Sequence, residues 1–234
     1  MTLVINNLNA WYGAVQVLRG LHLELAAGEV LCLFGRNGAG KTTALKSIMG
    51  LIHRQGSIQL NGEELVSLQP HLVPRAGIGY VPQGRRLFAE MTVAENLELG
   101  LMTRSSDATV CERVLEIFTP LKPRLNQQSG TLSGGEQQML AMARALCIEP
   151  SVILLDEPTE GLMPSMIAMI RQIILKLRQQ GVAILLVEQR VNAVLPVANR
   201  VAFVENGQIK ETTGVEQLAT DDSLLNKYVG VSHV

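Results

Sequence analysis

Gly35-Arg36-Asn37-Gly38-Ala39-Gly40-Lys41-Thr42 is the stretch that decides the fold. It fits the pattern G-x-x-x-x-G-K-[ST] in full. An apolar run over 30–34 precedes it, and the residues that follow predict a helix over 42–49. Strand, glycine-rich turn and helix in that order make a phosphate-binding loop. The glycines let the backbone turn tightly enough for its N–H groups to point at phosphate oxygens, and the helix start adds its positive end. Lys41 brings a full charge to the β- and γ-phosphates, and the Thr42 hydroxyl can ligate Mg²⁺. Gly35, Arg36, Asn37, Gly38, Ala39, Gly40, Lys41, Thr42 and Thr43 are therefore the candidate nucleotide-binding residues. The alternative, a glycine-rich turn without a ligand, leaves the flanking strand and helix unexplained. By itself the loop does not separate a kinase, a GTPase or a motor.

Downstream, Ser151-Val152-Ile153-Leu154-Leu155-Asp156-Glu157 is an apolar strand ending in two acids. Asp156, at the strand's carboxyl end, can reach a Mg²⁺ ion, usually through water. Glu157 is placed to orient or deprotonate the water that attacks a γ-phosphate. A turn or helix cap is the plainer reading of such a pair, and Pro158 favours a turn, but a turn does not exclude the catalytic role.

Around these two motifs the chain reads as β-rich, then helical, then βαβ. Strands are predicted at 3–8, 21–25, 30–34, 57–60 and 78–81, with Asn61-Gly62 as a hairpin turn. From Gly84 the spacing turns helical: 93–101, 110–118 and 135–147, interrupted by Pro120 and Pro123 and closed by Pro150. Strands return at 152–155 and 182–187, joined by an amphipathic helix over 165–180 that buries Met166, Ile170, Ile173, Ile174 and Leu177 and stops at Gly181. Asn206-Gly207 marks a last hairpin. The expected organisation is one domain over 1–234, with an α/β core from 1–83 and 151–234 and a helical subdomain at 84–150.

Hydrophobic residues make up 47% of the chain and aromatics only 3%, which suits a Val/Ile/Leu core of parallel strands buried on both faces. The formal net charge is -1 and no block of five or more like charges occurs, so a nucleic-acid partner is not expected. The first residues have neither a basic start nor a signal-like apolar stretch, and the richest apolar run, 182–187, is far too short to span a bilayer. Membrane attachment is thus expected only through a partner. Cys32, Cys111 and Cys147, set in apolar contexts, read as buried reduced thiols.

Leu132-Ser133-Gly134-Gly135-Glu136-Gln137-Gln138 lies between the two phosphate motifs, and here the chain resembles the ATP-binding cassette family. The resemblance implies a P-loop NTPase (RecA-like) core with an N-terminal antiparallel β subdomain and an inserted helical subdomain. It implies ATP and Mg²⁺ as ligands. Ser133, Gly134 and Gly135 would contact the γ-phosphate of an ATP held on the opposite subunit; a plain helix cap at Ser133 is the alternative. Tyr12 matches the aromatic that stacks on adenine, and Gln83 matches the glutamine that approaches Mg²⁺ and couples to membrane subunits. A core tyrosine and an exposed loop glutamine are the plainer readings of these two.

Two positions depart from the family's pattern. Gln189 stands where a histidine usually contacts the γ-phosphate, and a neutral amide can donate a hydrogen bond there but carries no proton to give. Met163 stands where an aspartate usually communicates across the dimer. Both changes, with the run Gly77-Ile78-Gly79-Tyr80-Val81-Pro82-Gln83-Gly84-Arg85-Arg86-Leu87-Phe88, are similar to the branch that imports branched-chain amino acids and urea or short amides. That branch implies a heterodimer with a second ATPase subunit, two membrane permease subunits and, indirectly, a periplasmic solute-binding protein. It implies a place on the cytoplasmic face of the inner membrane. Catalytic roles are expected for Glu157, Lys41 and Gln189, and metal-facing roles for Thr42, Gln83 and Asp156. A urea importer and a weakly hydrolysing regulatory subunit stay open as alternatives. A soluble family member acting in DNA repair or translation fits poorly, because such proteins carry tandem cassettes or a long coiled-coil insert.

Overall fold

The computed structural model describes residues 2–104, 107–220 and 223–228; the expected domain limits at 1 and 234 lie outside them. In chain order come β1 (Leu3–Tyr12), β2 (Val15–Leu25), β3 (Val30–Phe34), α1 (Lys41–Ile48), β4 (His53–Leu60), β5 (Glu63–Glu64), α2 (Val73–Ala76) and β6 (Ile78–Val81). Helices α3 (Val93–Arg104), α4 (Ala108–Ile117) and α5 (Gly134–Leu146) follow. The chain continues through β7 (Val152–Asp156), α6 (Pro164–Gln179), β8 (Ala183–Val187), α7 (Val191–Val194), β9 (Arg200–Glu205), β10 (Gln208–Gly214), α8 (Val215–Thr220) and α9 (Ser223–Tyr228).

The strands form two sheets. One is antiparallel, in the order β2-β1-β4-β5; the other has the order β10-β9-β3-β8-β7-β6 and is parallel except at its β10 edge. Every residue of β3, β7 and β8 is buried. Their sequences accordingly lack polar alternation, as strands covered on both faces must. Helix α6 covers this sheet with Ile167, Ile170, Ile173, Ile174 and Leu177. Each such side chain contributes about 1.5–3 kcal/mol on leaving water. Gly181, at φ 87, then turns the chain back, its N–H donating to Arg178 O at 3.0 Å.

The order of the parallel strands positions the site. β8 lies between β3 and β7, and β6 lies on the far side of β7. Four carboxyl ends, distant in sequence, therefore open side by side, as at other crevices of open α/β sheets. They lead into Gly35, Gln83, Glu157 and Glu188.

Several expectations needed correction. β1 runs on to Tyr12 rather than stopping at residue 8, because a register shift between Ile5 and Leu8, with Asn7 at φ 49, resets the in–out alternation without ending the pairing. β4 begins at His53, with Gly56 at φ 122 interrupting the pattern on which the shorter strand rested. The helices α2, α7, α8 and α9 were not anticipated; α2 and α7 span four residues each, too few to show a period. Cys32 and Cys147 are buried free thiols, but Cys111, on α4, is a free thiol that is only partly covered. Among the described residues no helix is long and apolar enough to cross a membrane.

Candidate nucleotide site

The loop begins where β3 ends. A Cβ on Gly35 would run into the Val204 carbonyl of the neighbouring strand β9, so only glycine lets the chain leave the sheet there. Gly40 is the N-cap of α1 at φ 111, a left-handed backbone, and no side chain caps the helix. The first-turn N–H groups of α1 are thus left for a ligand. At its other end, Arg54 donates to the carbonyls of Ser47 and Ile48 and to those of Leu65, Val66 and Leu68, which fixes the helix against β4 and the segment after β5.

Lys41 is 6% exposed, and its ammonium donates to the Gly35 and Arg36 carbonyls at 2.7 and 3.1 Å. Burial holds its pKa below the ordinary lysine value, against the opposing charges of Glu157, Cys32 and Asp156. These carbonyl bonds fold the side chain back over its own loop. Thr42 Oγ1 donates to Asp156 Oδ1 at 3.0 Å, and the Tyr80 hydroxyl donates to Asp156 Oδ2 at 3.5 Å. Asp156 is 1% exposed; burial raises its pKa and Glu157 adds to the shift, while the Thr42 bond, Lys46 and Tyr80 oppose it. Burial, joined by Asp156, likewise raises the Tyr80 hydroxyl.

Glu157 has φ 50 and donates its N–H to Val187 O at 2.9 Å. Its Oε1 accepts from the Gln189 amide at 2.6 Å. The Gln83 amide donates to Glu160 Oε2 at 2.9 Å. A cleft of about 580 Å³ is lined by Asn37, Gly38, Gly40, Lys41, Thr42, Thr43, Gln83, Glu157 and Gln189, together with Val17 and Glu160. Ala39 lies beneath it, 8% exposed, its carbonyl bonded by Gly207 N–H at 2.9 Å. Tyr12 is exposed at the end of β1, outside the cleft lining, with Lys46 Nζ 5.9 Å from its ring centre.

Ser133, Gly134 and Gly135 do not line this cleft. Ser133 caps α5: its Oγ accepts the Glu136 N–H at 3.4 Å, and the Glu136 carboxylate accepts the Ser133 N–H at 2.9 Å. The plainer reading of Ser133 as a helix cap therefore describes its contacts within this chain. Sequence reasoning passed over Tyr80, Glu160 and Glu188, which bond Asp156, Gln83 and Gln189, and Thr159, which bonds Glu188. Only strand order brings Tyr80 to Asp156, through the Tyr80↔Leu154 register of β6 and β7.

The residues fit a magnesium ion chemically. A buried carboxylate with two neutral hydroxyl partners, and no salt bridge among the described residues, is a hard-oxygen donor waiting for a cation. No group of three His, Cys, Asp or Glu that could hold a metal occurs among the described residues. Mg²⁺ needs none, because it binds through one or two carboxylates plus waters and substrate phosphates.

Residues 18–160 match the model of the ABC transporter family, and the chain belongs to that family. It is an ABC transporter ATPase and binds ATP. Within the family it is 43% identical, over 97% of its length and 99% of the relative's, to the high-affinity branched-chain amino acid transport ATP-binding protein BraG of Pseudomonas aeruginosa. It is 42% identical to the probable branched-chain amino acid transport ATP-binding protein LivF of Archaeoglobus fulgidus, over 87% of this chain and 91% of that one. Among solved structures, the ADP conformation of the ATP-binding cassette MJ1267 superposes with a TM-score of 0.86 at 25% identity, covering 98% of this chain and 99% of that one.

Proposed function

We propose that this chain powers a branched-chain amino acid importer by hydrolysing ATP on the cytoplasmic face of the inner membrane, as one half of a cassette dimer attached to two permease subunits. The observation that carries the reading is the convergence of Lys41, Thr42 and Glu157 on one cleft, with the buried Asp156 bonded to Thr42. The cargo follows the two relatives above, both described as branched-chain amino acid transport proteins.

In the cycle, the uncapped start of α1 and Lys41 hold the phosphates, and ATP binding turns the Lys41 ammonium away from the Gly35 and Arg36 carbonyls. Glu157 orients the attacking water and takes its proton. Thr42 and Asp156 would hold Mg²⁺, with the Gln83 side-chain oxygen as a further donor; when bound, the ion neutralises charge on the phosphate oxygens. Ser133 and the start of α5 are assigned to the ATP of the partner subunit, and the exposed Met163 to the dimer contact. Gln189 donates to Glu157 and cannot exchange a proton with it, which supports pairing with a second, different ATPase subunit. An apolar cleft of about 450 Å³, where Phe88, Leu99 and Ile148 meet Met49 and Pro74, supports a permease seat between the sheet and the helices.

Uptake of labelled leucine and labelled urea by cells of the source organism carrying Glu157→Gln tests the reading. Hydrolysis should fall by about 10²–10⁴-fold, the usual size of a lost acid–base group, and leucine uptake should be lost with it. Loss of urea uptake alone would move the chain to the amide branch. Fast ATPase from this chain as a pure homodimer would sink the heterodimer.

A further inference from the structure

Glu188 has no part in the cycle above, yet it is a carboxylate only 3% exposed, directly behind the site. Its Oε1 accepts two bonds from Thr159, from the backbone N–H at 3.0 Å and from the hydroxyl at 2.6 Å. Its Oε2 accepts the Gln189 N–H at 3.4 Å. Among the described residues it makes no salt bridge. Burial raises its pKa against the pull of these three bonds, with Glu157 adding to the rise. Burying an anion with no cationic partner is unfavourable; the three bonds offset part of that cost, and they also tie down the chain that donates them.

What they bear on is the backbone of Glu157. A residue with a side chain held at φ 50 is in a sparsely populated conformation, and such a residue persists only where its surroundings over-determine it. Two ties do so here, one on each side of Pro158. The Glu157 N–H is bonded to Val187 O at 2.9 Å, and Thr159 is bonded to Glu188. Both ties run from the loop after β7 to the end of β8. The Gln189 amide closes the ring on the Glu157 carboxylate itself.

We propose that Glu188 is a positioning residue for ATP hydrolysis: by holding Thr159 it locks the strained Glu157 backbone so that its carboxylate stays in the cleft opposite Gln189. The inference rests on the reading of Glu157 as the residue that activates water. Glu188 does not line the cleft, so its loss should slow the chemical step and leave binding alone.

The test is single-turnover hydrolysis by the full chain, with protein in excess, beside the affinity for a fluorescent ATP analogue. Glu188→Ala should lower the rate about 10²-fold, the effect of roughly an ångström of misplacement. Affinity should change by less than about twofold, since only the chemical step is touched. Glu188→Gln keeps an oxygen that accepts both Thr159 bonds and should recover at least about tenfold of the loss. Thr159→Val should slow hydrolysis in the same way, and the double variant with Glu188→Ala should be no slower than Glu188→Ala.

Wild-type rates in Glu188→Ala, with Glu157→Gln inactive, would overturn the inference and leave the base reading intact. Parallel losses of binding and hydrolysis, with no recovery in Glu188→Gln, would also overturn it, as a general loss of structure. Wild-type rates in Glu157→Gln would overturn the base reading and the inference together. If Glu188→Ala fails to fold, the near-isosteric Thr159→Val decides alone, and a wild-type rate there overturns the proposal.

Discussion

Helices α1 and α5 both carry glycine at their start, as the N-cap of one and the first residues of the other, and their first turns differ in what they leave unsatisfied. α1 starts after Gly40 with no side-chain cap and no acid in its first turn. α5 starts after Ser133 with a complete capping box, and the Glu136 carboxylate of that box is paired with Arg124 at 2.7 Å. A helix start always leaves backbone N–H groups without partners. In α1 they face a cleft that holds Lys41, Thr42 and Glu157. In α5 the chain meets part of the demand itself, using the Ser133 oxygen as acceptor. On the proposed function, one start takes a phosphate within its own subunit. The other is stable without one, which suits an end that meets its phosphate only when a second subunit closes.

The strongest way to break this contrast is Lys41→Ala. Hydrolysis should fall on the order of 10³-fold, as when a preorganised charge donor is removed from a reacting centre, while denaturant unfolding of the nucleotide-free chain changes little. Single-turnover rates within about tenfold of wild type would mean that α1 is not the phosphate-holding end.

Ser133→Ala should do the opposite. Losing the cap costs about 1 kcal/mol of stability, which lowers Tm by about 2–4 °C in a chain of this size. Thermal unfolding without nucleotide measures it, and an unchanged Tm would remove the distinction between the two starts.

The smallest effect sharpens the comparison through pH. Desolvation raises the Glu136 carboxyl, but the Ser133 hydroxyl and N–H and the Arg124 charge outweigh it and hold the group below the ordinary carboxylate value. A depressed folded-state pKa gives stability that is present above the unfolded value and lost as pH falls through the folded one. The Tm gap between wild type and Glu136→Gln should therefore be widest at about pH 7 and shrink below about pH 4. A gap that does not vary with pH would mean that the carboxylate's charge takes no part in the cap.

The phosphate loop and the acidic strand end were legible because each is a local object. Gly35 to Thr42 and Ser151 to Glu157 carry their turn chemistry, apolar runs and reactive groups within a few neighbouring residues. The same holds for α6, whose buried stripe differs from the expected one only in Ile167 standing where Met166 was read. β1 was harder, since the shift at Asn7 breaks the alternation that marks a strand while the pairing continues past it. Glu188 was invisible for another reason. Beside an apolar strand a lone carboxylate reads as a surface residue, and nothing in the sequence says that Thr159 folds back over it.

By itself, then, the sequence determined the groups on which the proposed function rests: a glycine-rich loop read as binding phosphates, a carboxylate read as facing a metal ion, and a second one read as activating water. Only the tertiary structure decided which groups meet. Val30–Phe34, Val152–Asp156 and Ala183–Val187 are interchangeable in kind, short and apolar throughout, and nothing in such runs names a neighbour. Their order, with β8 between β3 and β7, follows from long-range packing of helices on both faces of the sheet. That order sets Gln189 against Glu157, Tyr80 against Asp156 and Glu188 beneath Thr159.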